Sequence, residues 1–282
     1  MVMGTASGVG KSTVVLALCR ILTKMGYRVA PFKAQNITDN VDVISDGKKI
    51  AKSSVLAAMA CNVEPHPDMG PILLVPSKRI GVKIILNGEE IKTQNLNEVR
   101  AYLFEQAFLA YERLLKSYDI VVVEGAGSPV ELNLMNRDIV NMNFATRAKI
   151  PVMLIGEIHR GGVFAAVYGT LTLLSEEQRS LVKAVVINKF MGGSAHFGDG
   201  KNIMEEITKL PLLGVLPYMS IEIEDEDSLV EGVPKTRESL YADVTTEKRY
   251  IILVNSAIDK LATQMQRELD VSAVIKIINE GG

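Results

Sequence analysis

The run Gly4-Thr5-Ala6-Ser7-Gly8-Val9-Gly10-Lys11-Ser12-Thr13 constrains the rest of the chain more than any other stretch. It follows a short apolar segment and opens an amphipathic pattern at Val14, Val15, Leu18, Ile21 and Leu22. That is the strand–loop–helix setting a phosphate-binding loop requires. Glycines let the backbone turn tightly enough for successive N–H groups to face phosphate oxygens. The helix start adds partial positive charge at the same place. In such a loop Thr5, Ser7, Gly8, Val9, Gly10, Lys11, Ser12 and Thr13 surround the phosphates. Lys11 reaches the terminal ones and Ser12 ligates Mg²⁺. Counting back from Gly10, the usual leading glycine falls on Thr5, with Gly4 one place earlier. The stretch predicts a nucleotide-phosphate site.

Hydropathy then lays out strands and helices in alternation. Strands are expected at 1–4, 27–32, 151–155, 184–187 and 212–216. A further one is Ile120-Val121-Val122-Val123, a continuous β-branched run suited to a central parallel strand covered on both faces. Helices are expected at 11–24, 50–61, 96–115, 139–148, 163–174 and 201–209, with another capped by Ser175 and Gln178. Residues 82–86, followed by Asn87-Gly88, predict a hairpin beside the main sheet. The alternation predicts an α/β fold, a P-loop doubly wound, mostly parallel sheet with helices on both faces. Beyond Pro217 the pattern changes. Residues 222–227 hold five acids and read as a solvated linker, and 230–249 show no period. Helical patterns return at 257–269 and 271–278.

With 282 residues, 48% hydrophobic and 23% charged, the chain can bury one large domain and some extra. A net charge of −2 offers no basic field for nucleic acid or an anionic membrane. No apolar run approaches the ~20 residues of a membrane span. The loop begins so early that a signal peptide is not expected. Cys19 and Cys61 fall in helical apolar patterns and read as buried reduced thiols. A cytoplasmic protein without nucleic-acid or membrane partners is expected.

Magnesium at such a loop takes carboxylates beside phosphate oxygens. Glu124, ending a hydrophobic strand, and Asp46, in a polar stretch, are the candidates; either alone reads also as a solvated loop acid. Lys33 follows the strand at 27–32, at the end where open α/β sheets bind ligands, and could stabilise a transferring phosphoryl group. Asn188-Lys189 follows another strand where P-loop proteins read the base, although a polar strand end fits too. His66, His159 and His196 show no ligand spacing. Arg160, beside Gly161-Gly162, is a candidate anion contact against a default of solvated helix entry.

Several further motifs occur in order: Pro31-Phe32-Lys33-Ala34-Gln35-Asn36, Val123-Glu124-Gly125-Ala126-Gly127-Ser128-Pro129, Glu131-Leu132-Asn133-Leu134, Arg137-Asp138-Ile139-Val140-Asn141-Met142, Arg160-Gly161-Gly162-Val163-Phe164-Ala165 and Val186-Ile187-Asn188-Lys189-Phe190. With the loop, they resemble the synthetase half of cobyric acid synthase. Cobyrinic acid a,c-diamide synthase and, more distantly, dethiobiotin synthetase are its relatives. The resemblance covers about residues 1–229, which predicts a ligase domain there and a linker with a helical tail over 230–282. It implies an ATP- and Mg²⁺-dependent amide ligase, in which a substrate carboxylate attacks the γ-phosphate and ammonia opens the acyl phosphate. Carried over by position, Ser12, Asp46 and Glu124 hold Mg²⁺, while Lys11 and Lys33 hold the phosphates. Lys11, Lys33 and Glu124 form the catalytic set, and Asn188 and Pro217 lie near adenine. Gln35, Asn36, Ser128, Asn133, Arg137 and Arg160 face the substrate, adenosylcobyrinic acid a,c-diamide or a related polycarboxylate of cobalamin biosynthesis. The resemblance also implies a homodimer, with 127–142 as a contact segment.

Three places depart from the family pattern. Met69-Gly70-Pro71 stands for Met-Asn-Pro, Leu74-Val75-Pro76 for Leu-Lys-Pro, and the family's glutamine after a Gly-Arg-Ala-like stretch is replaced near Ser53-Ser54. An amide and a cation are thereby missing from a region expected to face the acid. The family's glutamine amidotransferase domain is not expected within these residues. Neither cysteine sits in a strand-to-helix elbow with a later His–Glu pair. Ammonia is then free in solution or supplied by a separate glutamine amidotransferase subunit. The alternatives are a ParA/MinD-like regulatory ATPase and a nucleotide-binding scaffold without ligase activity. Such ATPases usually carry a second lysine early in the loop, where this chain reads Gly4-Thr5-Ala6-Ser7.

Overall fold

The structure, a computed structural model, describes residues 1–77, 81–92, 96–192, 194–219, 240 and 246–280. In chain order the first elements are β1 (Val2–Gly4), α1 (Lys11–Lys24), β2 (Val29–Phe32), β3 (Gln35–Ile37), β4 (Val41–Val43), β5 (Lys49–Ala51), α2 (Lys52–Ala60), β6 (Ile72–Ser77), β7 (Gly81–Leu86) and β8 (Glu89–Ile91). They continue with α3 (Leu96–Ser117), β9 (Ile120–Val123), α4 (Met142–Ala148), β10 (Val152–Glu157), α5 (Val163–Leu173), α6 (Glu176–Leu181), β11 (Val182–Phe190), α7 (Gly200–Thr208), β12 (Leu212–Pro217), α8 (Glu247–Gln266) and α9 (Val271–Glu280). Contacts divide the chain into two compact units. One is Met1–Val14 with Val123–Met219 and Thr263–Gly282, and the other is Val15–Val122 with Ser220–Ala262.

The first unit is built on a parallel sheet in the order β1-β10-β11-β12. Its central strands are continuous apolar runs because both faces are covered. Val152, Leu154, Val185 and Ile187 are buried against Val163, Val167 and Leu171 of α5 and Met204 of α7. Close packing needs Gly156, since a Cβ there would lie 2.8 Å from methyls of Val163 and Val167. The capping box expected at Ser175 is present, with Gln178 as its partner. Helix α4 begins at Met142, later than the expected 139. The reason is Asp138: its carboxylate accepts from the N–H groups of Val140, Asn141 and Asn143, so the preceding residues form a capping turn.

The second unit holds more antiparallel pairing than the sequence suggests. Strands β2 and β9 form a two-stranded sheet, and a four-stranded one has the order β3-β6-β7-β8. There β3 and β6 run parallel while β6-β7-β8 meander. The expected hairpin at Asn87-Gly88 is β7-β8, with both turn residues at positive φ (51° and 88°). A helix expected from residue 50 begins instead at Lys52. Lys49–Ala51 is taken up in a second hairpin with Val41–Val43, which buries Ala51 against Leu73 and Ile85. Cys19 and Cys61 are free and buried, as expected. Arg20, 5% exposed, joins three helices: it donates to the Met59 carbonyl of α2 (3.0 Å), to Asn62 Oδ1 just beyond that helix (2.7 Å), and to Asn255 Oδ1 of α8.

The helical tail is longer than its periodicity indicated, since α8 starts at Glu247 within the stretch read as aperiodic. The acidic run at 222–227 lies outside the described residues. A mostly parallel sheet flanked by helices is the predicted fold class. No helix among the described residues is long and apolar enough to cross a membrane.

Candidate nucleotide site

Loop geometry comes first. After β1 the chain turns through Gly8 (φ 73°) and Gly10 (φ 97°), conformations open to glycine at little cost. At Gly10 a second constraint applies: a Cβ would lie 2.2 Å from Asn188 Nδ2. That amide donates to the Val9 carbonyl at 2.8 Å, and Lys189 Nζ donates to the Gly8 carbonyl at 2.6 Å. The end of β11 therefore clamps the loop from one side, while Thr5 N–H bonds the Ile155 carbonyl of β10 at 2.9 Å. Asn188, 3% exposed, does this from the strand end that the sequence assigned to the base.

At the head of α1, Ser12 Oγ donates to Glu124 Oε1 at 2.7 Å. Lys11, 7% exposed, donates from Nζ to the carbonyls of Ala6 and Gly127, each at 2.9 Å. Glu124 gets there because it bridges to Val2 directly after β9. The loop thus gathers a cation, a hydroxyl and a carboxylate at a helix start. A hydroxyl beside a carboxylate is an oxygen donor set suited to a hard cation completed by phosphate oxygens. No group of three or more His, Cys, Asp or Glu side chains suited to a metal occurs among the described residues.

The other expected residues divide by location. In the first unit, Ser128 is buried and its Oγ accepts from Val130 N–H at 3.4 Å. Asn133 and Arg137 are exposed on the segment leading to α4. Arg160, exposed, lies 3.9 Å from Glu157, which also faces Lys189 at 3.5 Å. Pro217 closes β12 opposite Phe190. In the second unit, Lys33 N–H donates to the Met69 carbonyl at 2.9 Å. Asp46 is exposed in the β4-β5 turn, accepting from Lys48 N–H at 3.1 Å. Gln35 and Asn36 sit in β3 opposite Ile72 and Leu73.

Asn36 is 2% exposed, and neither carboxamide atom has a hydrogen-bond partner among the described residues. A Cβ on Gly70 would stand 2.7 Å from Ser54 Oγ and 3.5 Å from Asn36 Nδ2. Two of the departures from the family pattern thus adjoin the unpartnered amide.

Sequence reading named Lys189 only together with Asn188 at the base, and gave no separate role to Asn141 or the Gly127 carbonyl. Both lie in motifs already singled out. A backbone carbonyl carries no residue signature at all.

Fold and loop define the class: a P-loop nucleotide-binding protein built on a parallel α/β sheet. The family model described as CobQ/CobB/MinD/ParA nucleotide binding domain matches residues 1–230, and the chain belongs to that family. Among curated proteins it is similar to cobyric acid synthase of Lachnoclostridium phytofermentans, 44% identical over 82% of this chain and 46% of that one. The cobyric acid synthase of Clostridium perfringens is 46% identical over 81% of this chain and 47% of that one. That of Salmonella gallinarum is 42% identical over 87% and 49%. The chain therefore spans about half the length of the curated relatives it matches. The solved MinC:MinD complex of Aquifex aeolicus is 16% identical with a TM-score of 0.46 over 95% of this chain and 94% of that one, a likeness too weak to bear on function.

Proposed function

We propose that the chain is the ATP-dependent amide ligase part of a cobyric acid synthase, with residues 1–229 carrying the chemistry. The observation that supports this most is the meeting of Lys11, Ser12 and Glu124 at the loop, in a chain 44% identical to a cobyric acid synthase. A carboxylate oxygen of the acid attacks the γ-phosphorus of ATP, and the bond to the β-bridging oxygen breaks to release ADP. The resulting acyl phosphate is attacked at carbon by ammonia, and phosphate leaves with its electron pair and takes up the proton that nitrogen sheds as the amide forms. Lys11 and Lys33 offset charge on the phosphoryl group, and fixed cations need no reorganisation during the transfer. Ser12, Glu124 and Asp46 would hold Mg²⁺, which supplies charge neutralisation on the phosphates. Asn188 and Pro217 border the base. Gln35, Asn36, Ser128, Asn133, Arg137 and Arg160 face the acid, adenosylcobyrinic acid a,c-diamide or a related polycarboxylate. The reading carries with it a cytoplasmic homodimer.

Both cysteines are buried, whereas glutamine cleavage needs an accessible thiolate beside a base. The test is amide formation from adenosylcobyrinic acid a,c-diamide and Mg-ATP with each nitrogen source. Ammonium chloride should support product, rising with pH as free ammonia increases, and glutamine should not without a separate amidotransferase. No product with ammonium at alkaline pH, by mass spectrometry, rejects the ligase reading.

A further inference from the structure

The residue that begins α4 does not cap its own helix. Asn141 occupies the N-cap position, where an asparagine side chain ordinarily accepts from the first helical N–H groups, yet it makes no such bond. Asp138 does that work, accepting from Asn141 N–H at 2.8 Å, Val140 N–H at 3.0 Å and Asn143 N–H at 3.2 Å. The Asn141 carboxamide is turned instead onto the peptide chain that follows Glu124. Its Oδ1 accepts from Ala126 N–H at 3.0 Å. Its Nδ2 donates to the Ala126 carbonyl at 2.7 Å and to the Ser128 carbonyl at 3.5 Å. Gly125 makes room, since a Cβ there would lie 2.4 Å from that Oδ1. Asn141 is 8% exposed, so these bonds are shielded from water.

Between Ala126 and Ser128 lies Gly127, at φ 56°, whose carbonyl takes the Lys11 ammonium at 2.9 Å. We propose that Asn141 is a positioning residue: it fixes the 126–128 backbone so that Gly127 presents its carbonyl to Lys11. The carboxamide suits this because it offers an acceptor and a donor to one residue's N–H and C=O together. A carboxylate matches the N–H but repels both carbonyls. The segment between clamp and cap, 129–137, carries Asn133 and Arg137. The same two side chains, Asn141 and Asp138, therefore hold its return to α4.

The inference rests on the loop being a nucleotide site, not on the identity of the acid. Its first readout is the acetylation rate of Lys11 in the nucleotide-free chain, by peptide mapping against exposed Lys149. In Asn141→Ala the Lys11:Lys149 ratio should rise about tenfold, the equivalent of one charge-assisted hydrogen bond. Asn141→Asp should fall between that variant and wild type. The second readout separates binding from turnover. The calorimetric Kd for Mg-ATP should change by less than about threefold while phosphate release with acid and ammonium falls about tenfold, the pattern of an interaction needed beyond ground-state binding.

An unchanged Lys11 ratio in a folded variant overturns the proposal, as does a Kd that weakens in step with turnover. Should both variants lose the cooperative thermal transition of wild type, Asn141 is a folding residue and the proposal fails. If wild type makes no amide yet protects Lys11, the ligase reading falls and this one stands on the labelling result.

Discussion

The loop after β1 and the strand after Lys33 treat their buried polar groups in opposite ways. Around the loop, Asn188, Lys189, Asn141 and Lys11 all end on backbone carbonyls at 2.6–2.9 Å. None of those acceptors is a side-chain atom. At β3, by contrast, Asn36 is buried with both carboxamide atoms unpartnered among the described residues, and Ser53 Oγ of α2 is in the same condition. An unmet buried donor or acceptor costs about 1–3 kcal/mol. Such a group persists where something other than stability retains it. Under the proposed reading the loop meets a nucleotide, whose cradle can be finished in backbone, and the Asn36 region meets the acid, where a side chain is kept open for it.

Four substitutions test that contrast. Lys11→Ala removes the loop's cation, and each charge-assisted phosphate contact is worth about 1.5–3 kcal/mol. Mg-ATP affinity should drop at least about a hundredfold by isothermal titration for two such contacts. Wild-type affinity would end the reading of this loop.

Gly10→Ala should cost about 2–4 kcal/mol, from a strained backbone at φ 97° and displacement of the Asn188 clamp. It reads out as a lower urea midpoint at constant m-value. A shift equivalent to less than about 0.5 kcal/mol, the scatter of ordinary surface changes, would show that the clamp is slack.

Asn36→Leu carries the opposite sign. Replacing an unpartnered amide by an apolar group of similar shape should stabilise the chain by about 1–2 kcal/mol, while acid-dependent turnover falls. A variant that is destabilised would mean the amide is satisfied after all.

Gly70→Ala should be the mildest, about 1 kcal/mol or less. Its backbone, at φ −153°, is open to any residue, and the obstructing atom is the Ser54 hydroxyl 2.7 Å from the new Cβ, which can rotate away. Matching losses at Gly10 and Gly70 would erase the distinction between a rigid corner and an adjustable one.

Most of the loop and the parallel strands were legible because they are local. Glycine, lysine and serine at fixed offsets, and β-branched runs such as Ile120–Val123, carry their own physical meaning. The β4-β5 hairpin was not, since Val41-Asp42-Val43 alternates for three residues inside a polar stretch. Ile139 and Val140 extend an apolar period backwards from α4, and it takes Asp138 binding three N–H groups to set the helix start at Met142. Asn141 was quoted within a motif, but its partners are main-chain atoms 15 positions away. No residue type announces them. Asn36 was placed with the acid, whereas its lack of partners appears only when β3 and Gly70 are seen together.

Arg20 bears on where this protein can be cut. The family model stops at residue 230, which makes that position look like a seam. Yet the guanidinium rising from α1 is held in part by Asn255, and Lys24 on the next turn pairs with Asp259 at 2.8 Å. Val254, Ile258 and Leu261 of α8 are buried as well. Trimming to the portion the family model matches would unroof a cation that folding has already taken out of water, leaving it Asn62 and Met59 alone. The boundary drawn by kinship and the boundary drawn by solvation fall in different places, and a fragment designed on the first would inherit a wound along the second.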